Sequence, residues 1–190
     1  MRVKANLVRW LLCVLFLLVA VCTTARGGVI YVDDDAVGAN DGTSWQNAYA
    51  FLQDALADTN SAEKPVEIRV AQGTYKPDQG SGQTPGDREA TFQLINGVTL
   101  AGGYAGFGEP DPNARNVELY ETILSGDLEG NDVDVNDPHD LLEEPTYNDN
   151  SYHIVTSGGN GPDTIIDGFI ISRGNGWGSG IRITSEDLRY

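Results

Sequence analysis

Short runs of β-branched and apolar residues, each closed by a small or turn-forming residue, recur along the chain from residue 29 onward. The clearest run covers residues 164–174, TIIDGFIISRG. Its first half resembles residues 122–126, TILSG, and its second half resembles residues 96–103, NGVTLAGG. Runs closed by Gly or by Asx-Gly are typical of strands that end in corners. Recurrence of such units, with variable loops between them, predicts a β-solenoid.

Residues 66–71 alternate between apolar and polar, which predicts a strand with Val66, Ile68 and Val70 facing inward, followed by a corner at Gly73. Further strands are predicted at residues 29–32, 91–94, 97–103, 122–126, 152–156, 164–166, 169–171 and 181–183. Segments this short and this close leave no room for crossover helices. They predict an all-β protein in which three parallel sheets wind into a coil around a narrow apolar core.

One helix is predicted near the start of the chain. Its apolar residues recur at helical spacing: Trp45, Tyr49, Leu52 and Leu56. Thr43 or Ser44 is the expected N-cap, and the helix is expected to run to about Ala57. A solenoid leaves the interior of its first coil open to water, so we interpret this helix as a cap over that end. The aromatic residues are interpreted as core and not as a ligand platform.

The first 25 residues have the pattern of a secretory signal peptide. Three basic residues precede an apolar run of 13 residues, 10–22, and small residues precede a predicted cut between Ala25 and Arg26. The run is too short for an ordinary membrane span; an uncleaved anchor and a lipoprotein signal at Cys22 are alternatives. Cleavage would remove Cys13 and Cys22, so the mature chain would contain no disulfide.

Charge narrows the possible partners. The 190 residues carry 12 Lys and Arg against 28 Asp and Glu, a formal charge of −16, and without residues 1–25 nine basic residues remain and the charge is −19. So acidic a chain is not expected to bind nucleic acid or anionic lipid. The expected organisation is a signal peptide at 1–25, an N-terminal strand and capping helix at 26–65, and one domain of coils at 66–190 with an acidic loop at 127–150.

Several segments, in this order, resemble a family of bacterial exported proteins: IYVDDDAVGANDGTSWQNAYAFLQDAL, VEIRVAQGTYKP, GVTLAGGYAGFGEPDPNAR, ETILSGD, NSYHIVTSGG and TIIDGFIISRGN. Members of this family are predicted right-handed parallel β-helix proteins, described as pectate-lyase-like or polymorphic-outer-membrane-protein-like. The resemblance covers roughly residues 29–183 and implies this fold and export. In the family, Gly-rich coils like residues 174–181 continue further, so the resemblance implies that the solenoid is incomplete at its C-terminal end.

Polysaccharide lyases of this fold hold Ca²⁺ with clustered carboxylates and use an Arg or Lys as base. The Ca²⁺ neutralises the carboxylate of an acidic sugar, which makes its α-proton easier to remove. The resemblance implies four candidate catalytic residues: Asp163, Asp167, Arg173 and Arg182. Asp163 and Asp167 are better explained as turn residues, and Arg173 as a corner residue.

Galacturonan hydrolases of the same fold carry a Gly-His-Gly and an Arg-Ile-Lys motif. Residues 180–184, GIRIT, have Ile-Thr where Ile-Lys is expected, and neither His139 nor His153 lies in a Gly-His-Gly. Hydrolysis needs an acid and a base across the scissile bond, and the sequence identifies no such pair.

The acidic loop has the oxygen-ligand spacing of a Ca²⁺ loop. Counted from the first ligand, positions 1, 3, 5, 9 and 12 are Asp132, Asp134, Asn136, Asp140 and Glu143. Position 6 is Asp137 in place of Gly, and a strand instead of a helix precedes the loop, so it is not an EF-hand. A weaker Ca²⁺ loop and a solvated acidic loop are the two interpretations.

The leading functional hypothesis is a secreted or cell-surface β-helix module with a binding or structural role, in glycan binding or adhesion. The alternative is a polysaccharide lyase or glycoside hydrolase of the pectate-lyase-like class, truncated and inactive, and a third is an inactive gene fragment. The expected partner is a polysaccharide or another cell-surface component, and Ca²⁺ is the one cofactor considered. Self-association is expected through an uncapped C-terminal coil, because Leu188 and Tyr190 are the sole large apolar residues after residue 183.

Overall fold

The computed structural model describes residues 28–60, 62–135, 137, 139–140, 143–175 and 180–183, so the predicted signal peptide lies outside it. Strands make up most of the regular secondary structure of the described chain, which has one α-helix, and the predicted all-β class is confirmed. The strands are β1 (Gly28–Val32), β2 (Val66–Ala71), β3 (Gly73–Tyr75), β4 (Phe92–Gln93), β5 (Val98–Tyr104), β6 (Thr122–Ser125), β7 (Val155–Ser157), β8 (Ile165–Asp167), β9 (Ile170–Ser172) and β10 (Ile181–Ile183). The helices are α1 (Leu52–Thr59) and a 3₁₀ helix at Pro145–Asn148. Within the described ranges, neither helix has the length and apolar character needed to cross a membrane.

The strands form three sheets, and every strand pair in them is parallel. Sheet A has the order β1-β2-β5-β8, sheet B the order β3-β6-β9, and sheet C the order β4-β7-β10. From β2 onward the chain passes through sheets A, B and C in the same order three times. Two neighbouring strands of one sheet are therefore separated by a complete circuit of the chain.

Like positions of successive circuits stack in the core. Ile30, Ile68, Leu100 and Ile166 lie opposite one another on the four strands of sheet A. The same apolar cluster includes Leu124 from sheet B. It also includes Phe92, Leu94, Ile154 and Val155 in and around sheet C. The core therefore lies where the three sheets face one another, and each fully buried Ile, Leu or Phe contributes about 1.5–3 kcal/mol through removal of its side chain from water.

Helix α1 begins at Leu52, and the predicted start near Trp45 is wrong. Thr43 does not cap a helix, since its hydroxyl donates to Asp41 Oδ1 at 2.6 Å. The segment before α1 follows β1 instead: Tyr49 N donates to Tyr31 O at 2.9 Å, and Asp33 N donates to Tyr49 O at 2.8 Å. These backbone hydrogen bonds take the place of those of a first helical turn. Residues 45–51 therefore do not form a helix, although their apolar residues have helical spacing.

Helix α1 packs on the end of the core that the first strands form. Leu52, Ala55 and Leu56 are buried in the main apolar cluster. α1 contacts β1, β2 and β4, and β1 and β4 are the terminal strands of their sheets. The helix thus covers apolar side chains that the outermost strands would otherwise expose to water.

The internal repeats lie in parallel sheets, as predicted, but the segments most similar in sequence are not the ones that pair. The sequence similarity relates residues 164–166 to residues 122–126, whereas β8 pairs with β5, so that Ile166 lies opposite Leu100. It relates residues 169–171 to residues 97–103, whereas β9 pairs with β6. The reason is the connection from sheet A to sheet B, which spans residues 105–121 in one circuit and only 168–169 in the next. The corner predicted at Gly73 is present, since β2 of sheet A ends at Ala71 and β3 of sheet B begins at Gly73, but the strand β3 that follows it was not predicted.

Two glycines allow successive circuits to approach closely. A Cβ on Gly102 would lie 2.5 Å from the carbonyl oxygen of Gly168, and a Cβ on Gly126 would collide with the carbonyl oxygen of Arg173. Neither glycine has a positive φ, so a Cβ is excluded at both positions by the neighbouring backbone alone.

We expect Gly102→Ala and Gly126→Ala each to lower the free energy of unfolding by about 1–3 kcal/mol, because a backbone carbonyl cannot move aside as a side-chain tip can. Urea unfolding followed by circular dichroism measures the loss. Gly28→Ala is the matched control, since a Cβ there would meet nothing within 4 Å, and we expect a change within about 0.5 kcal/mol. Equal effects at all three positions would contradict close stacking of the circuits.

The last strand of each sheet has one unpaired edge in the described part of the chain. These strands are β8, β9 and β10. They also carry partly exposed isoleucines: Ile165, Ile170, Ile181 and Ile183. Unpaired edges with apolar side chains favour pairing with another chain, so the expected self-association remains a prediction of this geometry.

Ile183→Lys should shift the sedimentation of the chain toward the monomer, because a charged side chain on an edge strand opposes edge-to-edge pairing. Sedimentation velocity at several micromolar concentrations measures the effect. Val37→Lys is the control, since Val37 is exposed in a loop away from the sheets. A wild-type chain that stays monomeric over the whole concentration range would contradict the prediction.

Candidate functional site

The solvent side of sheet A carries a set of aromatic and charged side chains that we call the sheet A surface: Tyr31, Glu67, Arg69, Tyr104, Arg115 and Asp167. The strand register places Tyr31, Arg69, Ala101 and Asp167 opposite one another on four neighbouring strands. Since side chains alternate along a strand, this row faces away from the row that contains Ile68. Strands lie about 4.8 Å apart, so the row extends over about 14 Å.

A bidentate ion pair fixes the middle of this surface. Arg69 Nε and Nη2 lie 3.0 Å and 3.2 Å from the two carboxylate oxygens of Glu67. Tyr104 donates its hydroxyl to Glu67 Oε1 at 3.2 Å, and the Arg69 guanidinium lies 5.4 Å from the centre of the Tyr104 ring. The hydrogen bond to Glu67 raises the pKa of Arg69, and burial raises the pKa of Tyr104. At neutral pH the arginine is therefore charged and the tyrosine protonated.

A second arginine reaches the surface from the loop that follows β5. Arg115 Nη2 lies 2.6 Å from Asp167 Oδ2, and Arg115 Nε donates to Gly102 O at 2.8 Å. Its guanidinium is 5.6 Å from the centre of the Tyr104 ring. Two arginines thus share one tyrosine ring, and each is paired with a carboxylate. The surface has no net charge in a chain of formal charge −16.

Trp45 supports this surface from beneath the loop. Its ring centroid lies 4.9 Å from that of Tyr31 and 5.6 Å from that of Tyr104. The indole is buried, and its Nε1 donates to Asn113 Oδ1 at 3.0 Å. The prediction that Trp45 is a packing residue and not a ligand platform agrees with this position, although the packing is on the outer side of sheet A. The result is a rigid surface in which three aromatic rings hold the polar groups in place.

A separate acidic groove of about 410 Å³ lies beside sheet B. Its lining includes Asp34, Asp35, Glu118, Leu119, Glu121 and Ile123. Asp33, Asp34 and Asp35 have carboxylate oxygens within 4.8 Å of one another, and among the described residues no other three His, Cys, Asp or Glu side chains come so close. Asp33 is engaged in the fold, however, since its oxygens accept from Asp35 N at 3.0 Å and Phe107 N at 2.5 Å. Burial raises the pKa of both Asp33 and Asp34, and Asp35 adds to the rise.

The structure joins one predicted lyase residue to two predicted calcium ligands. Arg173 Nη1 lies 3.3 Å from Asp132 Oδ2, and Arg173 Nη2 lies 3.2 Å from Asp134 Oδ1. The Asp132 side chain is fully buried, and Asn150 Nδ2 donates to its Oδ2 at 2.8 Å. Arg173 itself has a positive φ of 66°, a conformation that costs a non-glycine residue free energy. This ion pair therefore closes the corner after β9 onto the acidic loop.

The predicted calcium ligands Asp140 and Glu143 do not join Asp132 and Asp134 in the contact with Arg173. Asp140 and Glu143 are exposed, and their backbone amides belong to turns closed by the carbonyls of Asp137 and Asp140. Asn136 lies outside the described residues. The calcium loop stays a prediction, with Asp132 and Asp134 held by an arginine in this structure.

The four candidate catalytic residues lie on different parts of the fold. Asp163 is in an exposed turn, and Asp167 is on the sheet A surface in contact with Arg115. Arg173 follows β9 of sheet B, and Arg182 is exposed on β10 of sheet C. Sequence analysis missed Arg115, Glu67, Arg69 and Tyr104. The alternation in residues 66–71 marked Glu67 and Arg69 as outward-facing, but no local pattern shows that residues 105–121 fold back over them.

Comparison with protein-family models finds no match, and comparisons with curated proteins and with solved structures find no significant match.

Arg173→Ala should destabilise the protein at pH 7 by about 1–3 kcal/mol, less than the loss of one partner from a fully buried pair, because Arg173 is one-third exposed. Burial raises the pKa of Asp132, while Asn150 and Arg173 act against the rise. Removing Arg173 raises that pKa further, so ionised Asp132 costs more. The loss should shrink as the pH falls through the raised pKa, because protonated Asp132 needs no counter-charge.

Urea unfolding at a series of pH values from neutral to acidic measures this dependence. Alanine keeps the Cβ and hence the backbone strain at φ 66°, so the difference reports the guanidinium. Arg182→Ala is the control and should change stability by no more than about 0.5 kcal/mol, since Arg182 is exposed. A loss that is the same at every pH would contradict the assigned pair.

Proposed function

We propose that this chain is a right-handed parallel β-helix module, exported from the cell, that binds a polysaccharide along the sheet A surface. Support for the β-helix comes from the order in which the strands pass three times through sheets A, B and C. The right-handed sense follows from the strong preference of connections between parallel strands of one sheet for that hand. Export rests on the signal-peptide pattern of residues 1–25.

The observation that carries the binding role is the row of paired polar groups around Tyr104. Glycans present hydroxyl groups at their edges and C–H groups on their ring faces. Carboxylates accept hydrogen bonds from hydroxyls, and guanidinium groups donate hydrogen bonds to them. The partly exposed ring of Tyr31 can contact the C–H faces, whereas Tyr104 is buried and holds the charged groups in place. The ion pairs already hold these side chains in position, so little conformational entropy is lost on binding.

The length of the surface also fits an extended ligand. Four neighbouring strands contribute to it, and their spacing is close to the length of one sugar unit. A linear glycan could therefore cross the strands with one sugar for each circuit of the chain. Because these residues carry no net charge, the sheet A surface itself adds no repulsion toward an acidic polysaccharide.

The alternative function is a polysaccharide lyase or glycoside hydrolase. We place it second because the four residues that it would use lie on three different sheets and an exposed turn. Asp167 and Arg173, the two that make ion pairs, contact Arg115 and Asp132, so neither is free to act as a general acid or base, although an ion-paired group can still hydrogen-bond to a hydroxyl.

Isothermal titration of the full chain with neutral and acidic hexasaccharides tests the proposal. We expect binding to at least one class, and a loss of about tenfold or more in affinity for Arg69→Ala, because a charged hydrogen-bond donor and its support of Glu67 and Tyr104 are removed together. Arg182→Ala, on sheet C, should bind as the wild type does.

Product analysis of the same mixtures separates binding from cleavage. Unsaturated or reducing ends released from an acidic polysaccharide, and lost in Arg173→Ala or Arg182→Ala, would favour the enzyme alternative. Equal binding by Arg69→Ala and the wild type would place the glycan elsewhere on the molecule.

A further inference from the structure

A second cavity, of about 470 Å³, lies between the start of α1, the loop after β3 and the segment after β6. Phe51, Pro85 and Leu128 give it apolar walls. Asp78 and Glu129 supply its charged groups, and Gln83 an amide. Its volume is within the range of small-molecule binding sites, which are mostly apolar with a few polar groups that orient the ligand. It shares no residue with the sheet A surface.

Hydrogen bonds hold the loop that forms one wall. Gln53 Nε2 donates to Pro77 O at 2.6 Å and to Thr91 O at 3.0 Å, so one buried amide fixes both ends of the loop. Within the loop, Ser81 N donates to Asp54 Oδ1 at 2.7 Å, which ties its tip to α1. The cavity is therefore formed by the fold itself and does not depend on a ligand to order the loop.

The opposite wall is fixed as well. Lys76 Nζ donates to Leu128 O at 3.2 Å. Asp127 Oδ1 accepts from Gly130 N at 2.6 Å and Asn131 N at 3.1 Å, which sets the turn that presents Leu128 and Glu129. Lys76 is thus engaged outside the cavity lining.

Asp78 is the unusual member of the lining. It is only 3% exposed, and its Oδ2 accepts from Gly86 N at 2.8 Å. Its Oδ1 is buried and has no hydrogen-bond partner in the described part of the chain. A buried carboxylate oxygen without a donor is costly, commonly by more than a satisfied hydrogen bond contributes, so such an atom calls for an explanation.

The electrostatics of the cavity favour a cation. Asp78 and Glu129 bring two carboxylates, and none of the described lining residues is basic. Phe51 is 40% exposed at the start of α1, where its ring face can accept a cation or an apolar ring. We propose that this cavity binds an organic amine that carries an apolar ring, with the ammonium group beside the carboxylates of Asp78 and Glu129 and the ring against Phe51, Pro85 and Leu128.

Two other ligand classes fit less well. A divalent metal ion prefers several oxygen ligands in close array, and Asp78 and Glu129 are not part of a described group of three acidic or His side chains within 4.8 Å. A carboxylate or phosphate ligand would meet two negative side chains without a counter-charge. An amine places one positive charge beside the two carboxylates and so offsets part of the negative charge of the cavity. The proposal does not depend on the glycan-binding proposal.

Titration of the full chain with phenethylamine, followed by calorimetry and by chemical shifts of Phe51 and Gly86, tests the proposal. We expect saturable binding, and binding of the neutral isostere 2-phenylethanol weaker by roughly tenfold or more, because the charged hydrogen bond is absent. The affinity of Asp78→Asn for phenethylamine should be lower than that of the wild type by a similar factor. Its carboxamide oxygen can still accept from Gly86 N, and its NH₂ takes the place of Oδ1, so the loop is preserved while one negative charge is removed from the cavity lining.

Glu109→Gln is the control for non-specific attraction, since Glu109 is exposed and does not line the cavity, and it should bind phenethylamine as the wild type does. Thermal unfolding of Asp78→Asn shows whether the variant is folded, and Phe51→Ala provides a second test that leaves Asp78 in place. Absence of saturable binding to the wild type would overturn the proposal. Equal affinity for the amine and the alcohol, or for the wild type and Asp78→Asn, would overturn it as well.

Discussion

The structure depends on one constraint: each strand must pair in parallel register with the strand one circuit later, at the spacing of a β-sheet. Because like positions stack, an inward side chain of one circuit must fit the side chains of the circuits on either side. Ile30, Ile68, Leu100 and Ile166 satisfy this condition in sheet A. The same spacing brings the backbone at Gly102 and Gly126 against the next circuit, where no Cβ fits. A change in any one strand therefore affects the circuits on both sides of it.

This constraint places the variable parts of the molecule at the corners between sheets. An insertion within a strand would shift the register of every later residue, whereas an insertion at a corner leaves the stacking intact. The three large excursions are found there, at residues 76–91, 105–121 and 126–154. Each forms part of a candidate site: the first walls the Asp78 cavity, the second brings Arg115 onto sheet A, and the third carries Asp132 to Arg173. The sheets thus supply position, and the corner loops supply most of the chemistry.

The strands were largely predictable from the sequence because their signal is local. Alternation in residues 66–71 identifies Val66, Ile68 and Val70 as inward-facing, and all three are buried. The start of α1 was not predictable in this way, since the spacing of Trp45 and Tyr49 suits a helix and the hydrogen bonds to β1 decide otherwise. Sequence similarity also does not show which repeats pair, because a short apolar run fits several strands equally well. The candidate sites depend on contacts between residues 37 to 52 positions apart, such as Tyr104 with Glu67 and Arg115 with Asp167, and no local pattern encodes these contacts.

The acidic composition has a structural role beyond surface charge. A formal charge of −16 opposes compaction through repulsion, yet several carboxylates are buried because they bind backbone amides. Asp33 accepts hydrogen bonds from two backbone amides, one on each oxygen, and Asp127 accepts hydrogen bonds from three. These carboxylates organise loops that carry few apolar residues. Their hydrogen bonds to the protein replace the hydrogen bonds with water that burial removes. Asp78 and Asp132 are different, since each keeps a buried oxygen for which the described chain supplies no donor. For Asp132 the nearby Arg173 compensates the charge. The cavity beside Asp78 contains no basic group among its described lining residues, so a cation from outside the chain would be needed to compensate Asp78 in the same way.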